Sequence, residues 1–260
     1  AINPGNSGGA LVDLSGRLVG INTAIFSRSG GSVGIGFAIP TSMVQLVARQ
    51  AAAGGGQVQR PYFGADLQEI TSDLAAGLGL DRPRGVMVLN VDPQGPAAAA
   101  GVQRGDVIIS IDGTEIFDPN GFEYRFATRG IDGTARIGIL RGARNLEAQV
   151  ALAPPPETVP RDEIVIEGRS PFTGVRVVNL SPAVAEELGV RASDGVVITG
   201  ILRGSIAERV GFRAGDIIRS INDMTVRSTR DLEQIAGQRL RIWRLLFERG
   251  GQVRQAVVRG

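Results

Sequence analysis

Apolar positions along this chain fall into short alternating runs separated by glycine, proline and aspartate, a pattern that predicts strands far more often than helices. Residues 10–14, 17–25 and 33–39 predict three strands, with Ser15-Gly16 as the first turn and residues 27–32 as a longer loop. Thr41-Ser42 predict the cap of a helix reaching about residue 52, with Met43, Val44, Leu46 and Val47 on its apolar face. Ala53-Gly54-Gly55-Gly56-Gln57 predicts a flexible joint after it. From residue 60 onward the pattern occurs twice. Gly64 in Tyr62-Phe63-Gly64-Ala65 recurs as Gly174 in Phe172-Thr173-Gly174-Val175, while Gly79, Gly85 and Gly105 recur as Gly189, Gly195 and Gly215, each 110 positions on. One offset over four blocks predicts a duplicated domain of about 90 residues rather than a solenoid of short units. Each copy predicts strands at 86–91 and 107–111, or at 196–201 and 217–221, with a small-residue helix before Gly101 or Gly211. A later helix is capped by Asp118-Pro119 in one copy and by Ser228-Thr229-Arg230-Asp231 in the other. Pro154-Pro155-Pro156 and Pro160 predict an extended linker between the copies. The expected fold class is therefore mainly β with short helices, divided at 1–57, 61–153, 154–169 and 170–260.

Composition narrows the function classes. The 37 glycines and 5% aromatics among 260 residues favour several small β-rich units over helical bundles. The net charge is +2, and every basic residue is an arginine, scattered rather than gathered into the stripe that a nucleic-acid surface needs. No partner of that kind is expected. No stretch approaches the ~18 apolar residues of a membrane helix, so no integral membrane segment is expected. Gly34-Ile35-Gly36 places Ile39 where a dinucleotide-binding loop requires its third glycine, and neither cofactor nor metal is expected.

The chemistry lies at the start of the chain, in Gly5-Asn6-Ser7-Gly8-Gly9. Gly5 permits a tight turn in which the amides of Gly5 and Ser7 point into one small space, the arrangement that holds the oxyanion of an acyl-transfer intermediate. On those five residues alone, a simple turn between strands accounts for the sequence equally well. The wider context resembles the HtrA/Deg family of trypsin-like serine endopeptidases. The resemblance rests on Ala1-Ile2-Asn3-Pro4-Gly5-Asn6-Ser7-Gly8-Gly9-Ala10-Leu11, Gly20-Ile21-Asn22-Thr23-Ala24-Ile25 and Gly34-Ile35-Gly36-Phe37-Ala38-Ile39-Pro40, in that order and spacing. It implies that residues 1–57 are the last part of a trypsin-like barrel domain, with Ser7 as nucleophile and the Gly5 and Ser7 amides as oxyanion hole. It also implies a specificity pocket from Ala1, Ile2, Ile25, Phe26 and Ile35, whose apolar character selects small aliphatic residues before the cut. A serine needs a base to take its proton, usually a histidine oriented by a carboxylate. This sequence has no histidine, cysteine or lysine, so the base is expected outside the 260 residues, which are read as a fragment inactive by itself.

The duplicated segments resemble PDZ domains in the tandem arrangement of bacterial HtrA proteins. Such domains add a peptide as a strand to a sheet edge and hold its terminal carboxylate with backbone amides. By that resemblance Tyr62, Phe63, Gly64 and Ala65 form the first carboxylate loop, with Phe122 and Phe126 near its apolar pocket. Phe172, Thr173, Gly174 and Val175 form the second, where Thr173 replaces an apolar residue and weakens the case for an apolar pocket. The resemblance implies an exported, periplasmic, ATP-independent quality-control protease acting on unfolded polypeptides and their C-termini, the intact protein a homotrimer or higher oligomer. Two other readings stay open at this point: a non-enzymatic peptide-binding adaptor with a dead protease remnant, and a chaperone-like holder of unfolded chains.

Overall fold

A computed structural model describes residues 5–25, 35–53, 58–190, 192 and 194–259. The chain is mainly β with short helices and divides into two compact units, residues 1–154 and 155–260.

The first unit begins with a small antiparallel sheet of β1 (Ala10–Val12), β2 (Leu18–Ile25) and β3 (Gly36–Pro40), in that order. Helix α1 (Thr41–Ala52) follows directly. Its expected cap is not formed: the Thr41 hydroxyl donates to Leu18 O (2.9 Å), and the Ser42 hydroxyl lies 2.6 Å from Tyr124 Oη. Both side chains are committed to tertiary contacts, which outweigh a local cap. No apolar side chain described within residues 5–53 is buried, and Leu11, Val12, Leu18, Val19, Phe37 and Ile39 lie exposed on the sheet. Such a sheet lacks the packing that resists opening. Amides of β2 are accordingly expected to exchange well before those of the buried strand at Val107–Ile111; equal protection in a hydrogen-exchange experiment would contradict this.

The remainder of the first unit is a self-contained domain. Its elements are β4 (Ala65–Glu69), α2 (Ser72–Gly77), β5 (Val86–Val91), α3 (Pro96–Ala99), β6 (Val107–Ile111), β7 (Thr114–Glu115), α4 (Pro119–Ala127), β8 (Thr134–Arg141) and β9 (Arg144–Ala151). The sheet runs β4-β5-β6-β8-β9, with β7 paired to β6. Alternate residues point inward, as the two-residue period of a strand requires: Ala135, Ile137 and Ile139 on β8, Val86 and Val88 on β5. Asp118 caps α4 by accepting from Gly121 N, and Pro119 occupies the first turn, where its missing N–H costs nothing.

The second unit repeats this plan with one addition. Its elements are β10 (Ile164–Val165), β11 (Val175–Asn179), α5 (Pro182–Leu188), β12 (Val196–Ile201), α6 (Ile206–Val210), β13 (Ile217–Ile221), β14 (Met224–Thr225), α7 (Thr229–Ala236), β15 (Ile242–Arg249) and β16 (Gln252–Arg259). The sheet runs β10-β11-β12-β13-β15-β16, with β14 paired to β13. Ser228 and Asp231 form the reciprocal cap of α7 that the sequence predicts. The core gathers Phe172, Phe212, Trp243 and Phe247 around α7. The segment expected as a plain linker thus supplies an edge strand.

One polar feature occurs in both copies. Asp106, almost fully buried, accepts from Nε and Nη2 of Arg141 (2.6 and 2.7 Å) and from the amide of Gln103, while Arg141 Nη2 also donates to Gly101 O. Asp216 does the same with Arg249 (both 2.6 Å) and Arg213 N, and Arg249 reaches Gly211 O. The hydrogen bond to the aspartate raises the pKa of each arginine above its usual value.

Candidate functional site

Ser7 stands on an exposed turn beside β2. The Gly8 amide donates to Asn22 O (2.8 Å), the Asn22 amide to Gly9 O (2.9 Å) and the Gly9 amide to Asn6 O (2.9 Å). Gly5 has φ +100°, a conformation that side chains rarely adopt. The amides of Gly5 and Ser7 donate to no acceptor among the described residues, whereas those of Gly8 and Gly9 are both used. The Ser7 hydroxyl donates to Thr23 O (2.9 Å), which fixes its rotamer against β2 and points its proton at the main chain. To attack a carbonyl it must leave that bond for a base. Of the expected pocket residues, Ile35 is exposed and the backbone of Ile25 pairs with Gly36; Ala1, Ile2 and Phe26 lie outside the described residues.

The loop at residues 62–65 is a second candidate site. Tyr62 N donates to Ala153 O, and its phenol donates to Asp92 Oδ2 (3.0 Å), whose other oxygen accepts from Gln94 N. Burial, then the hydrogen bond to Asp92, pushes the Tyr62 pKa above the ordinary tyrosine range. This clamp, which the sequence reading does not contain, ties the loop to the turn after β5. Gly64 has φ +79°, and a Cβ built on it would stand 3.0 Å from Gly95 Cα and 3.1 Å from Tyr62 Cε1, so any side chain there would be strained and crowded. Phe63 O and Gly64 O accept from Ala97 N and Asp92 N, while the amides of Phe63 and Gly64 donate to no acceptor among the described residues. Ala65 faces Val91, and the Asp92 N to Gly64 O bond makes theirs a non-hydrogen-bonded pair. The Ala65 amide therefore points off β4, the terminal strand of its sheet. Among the described residues, the amides of Phe63, Gly64 and Ala65 are thus left without an acceptor. Behind the loop Phe63 meets Phe122 and Phe126 edge-on at 4.7 and 5.3 Å, and all three rings are buried. They make an apolar floor rather than an exposed wall.

The matching loop in the second unit is built differently. Phe172 N donates to Ser170 Oγ, Thr173 N to Ser170 O, Gly174 N to Ile166 O (2.8 Å) and Val175 N to Phe172 O. The Thr173 hydroxyl accepts from Ser170 N and lies 2.9 Å from Ser170 O, inside the turn. Each loop amide already has a partner.

The trypsin family matches residues 1–47, and the PDZ domain matches residues 61–152 and again 197–241. The chain is 36% identical over 234 residues to a probable periplasmic serine endoprotease DegP-like of Brucella suis biovar 1 (strain 1330), covering 90% of this chain and 45% of that protein. It is 37% identical over 245 residues to the protein so named in Pseudomonas fulva (strain 12-X), covering 91% and 50%. A solved structure of the HtrA-type protease AlgW with decapeptide aligns at 47% identity over 60% of this chain and 48% of that one, with a TM-score of 0.43. The chain spans about half the length of the curated relatives it matches.

Proposed function

From a chain that is homologous along nine-tenths of its length to DegP-like serine endoproteases, and that joins a trypsin-family segment to PDZ domains, we propose a working part of an ATP-independent periplasmic endopeptidase for unfolded proteins. The domain division follows the sequence: residues 1–57 are the end of the protease domain, 61–153 the first PDZ domain, 154–169 the connection and 170–260 the second. The carrying observation is the pairing of Ser7 on an exposed turn with two amides, of Gly5 and Ser7, that have no acceptor among the described residues.

In this reading Ser7 Oγ leaves Thr23 O and attacks the scissile carbonyl carbon, giving up its proton to an imidazole contributed from outside these residues. The carbonyl π pair moves onto oxygen, where the Gly5 and Ser7 amides stabilise it. Collapse of the intermediate expels the amine, which takes the proton back from the imidazole. Water repeats the sequence on the acyl-enzyme, and Ser7 is released. Each oxyanion donor is expected to contribute ~3 kcal/mol to the transition state. Within the pocket, Ala1, Ile2, Ile25, Phe26 and Ile35 favour a small aliphatic residue before the cut. Assembly as a trimer or higher oligomer belongs to the same reading.

The first PDZ domain captures free C-termini. A peptide adds to β4 as an antiparallel strand, and its carboxylate takes the amides of Phe63, Gly64 and Ala65. Hydrogen bonds to a charged group contribute roughly 1.5–3 kcal/mol each before shared costs. Amidating a peptide that ends in an apolar residue should therefore weaken binding to the chain by about tenfold or more, a difference of ~1.4 kcal/mol. Calorimetry with the acid and the amide decides this. Equal affinities would mean that the groove takes internal segments. The catalytic half of the proposal is tested by casein turnover of the longer protein.

A further inference from the structure

We propose that the segment at residues 164–166 is a built-in ligand of the second PDZ groove, so that free C-termini are taken by the first groove alone. The inference rests on reading these loops as carboxylate sites, and it goes beyond that reading by assigning the occupant of one of them.

Four observations carry it. First, β10 pairs antiparallel with β11, Ile164 opposite Val177 and Val165 opposite Arg176. That is the direction and the edge a captured peptide would use. Among the described residues the corresponding strand β4 ends its sheet in the first unit, and β10 does in the second. Second, Ile166 N donates to Val175 O (2.9 Å) and Gly174 N donates to Ile166 O (2.8 Å), so the strand consumes the loop amide that matches Gly64. Third, the side chains alternate as a bound peptide's would. Ile166 is 2% exposed and joins the core cluster of Phe172, Leu232 and Ile235, Ile164 packs against it, and Val165 faces outward. Fourth, charged contacts pin the approach: Asp162 accepts from Arg230 on α7 (3.0 Å), and Glu163 pairs with Arg176 on β11 (3.4 Å).

The sequence accounts for the asymmetry between the copies. Counting back 110 positions from Ile164-Val165-Ile166 gives Gly54-Gly55-Gly56, which has no side chains to bury. The occupant is also tethered, with only residues 167–171 between it and the loop. Short flexible tethers give effective concentrations on the order of millimolar, so a free peptide at 10 μM competes at about a hundredfold disadvantage.

The test uses the whole 260-residue chain and a decapeptide ending in Val with a free carboxylate. Calorimetry should give one peptide per chain, lost in Gly64→Val. Replacing the strand by the first copy's glycines (Ile164→Gly, Val165→Gly, Ile166→Gly together) should free the edge of β11 and the Gly174 amide and so add a second, weaker site, provided the buried Trp243, the chain's single tryptophan, keeps its native emission. Two peptides on the unaltered chain, or still one on a folded glycine variant, would overturn the proposal. Should that variant unfold, hydrogen exchange on the unaltered chain decides. The amides of Ile166 and Gly174 should be protected equally with and without saturating peptide; exposed amides, or protection lost on adding peptide, would overturn it. A chain that binds no peptide at all counts against the first groove as a carboxylate site, and the exchange result stands apart from that.

Discussion

In a longer protein of the kind proposed, Ser7→Ala should lower turnover of unfolded casein by about a millionfold, because removing the serine of a triad removes the covalent route and leaves only binding and oxyanion stabilisation. The 260-residue chain, with Ser7 intact but no imidazole, should be no better than that variant. The variant should fold normally, since the Ser7 side chain is exposed and the lost bond to Thr23 O is a surface one. Rates are read with labelled casein, and far-ultraviolet dichroism confirms the fold. Residual activity within tenfold of the parent would remove Ser7 from the mechanism and leave the peptide grooves as the function of the chain.

The second large effect is on stability. Asp216→Ala should destabilise the second unit by about 3 kcal/mol, near the bottom of the range for breaking a buried ion pair. The aspartate is fully buried, so its loss leaves the Arg213 amide without its acceptor and Arg249 with Gly211 O in place of a carboxylate. Arg249 keeps 22% of its side-chain surface in water, which softens the loss and sets the lower figure. Urea denaturation followed through Trp243, in the core of the same unit, reads it directly. A change below about 1 kcal/mol, the size of an exposed pair, would show that the bridge holds nothing together. Asp106→Ala should act likewise on the first unit.

Much of this architecture was legible because the duplicated glycines occupy special backbone positions. Gly64 and Gly174 recur because both sit at positive φ, at +79° and +91°. Helix starts at Asp118 and Ser228 were legible for a local reason: the cap is made within four residues. What the sequence hid was non-local. Ile164-Val165-Ile166 stands between a proline-rich stretch and Gly168, too short to signal a strand until β11 is seen beside it. Thr173 reads as a polar intrusion into a binding pocket, yet its hydroxyl is spent within its own turn, and the groove differs for another reason. Arg141 and Arg249 look like solvent-facing charges at strand ends; their partners lie 35 and 33 residues away. Thr41 and Ser42 follow the opposite logic, a local signal overruled by contacts with Leu18 and Tyr124. For the nucleophile, the residue types were legible, but the bond that parks Ser7 on Thr23 was not.

The paired bridges Asp106–Arg141 and Asp216–Arg249 carry a history as well as an energy. Their aspartates stand 110 positions apart and their arginines 108, so two residues' difference in length has accumulated between them while the bond geometry, down to the carbonyls of Gly101 and Gly211, stayed the same. Both copies hold the brace, and they differ in the strand that ends the sheet, β4 in one and β10 in the other. The brace sits in the frame of each fold, away from the edge of β11 where β10 pairs, so the frame can stay constant while that edge differs.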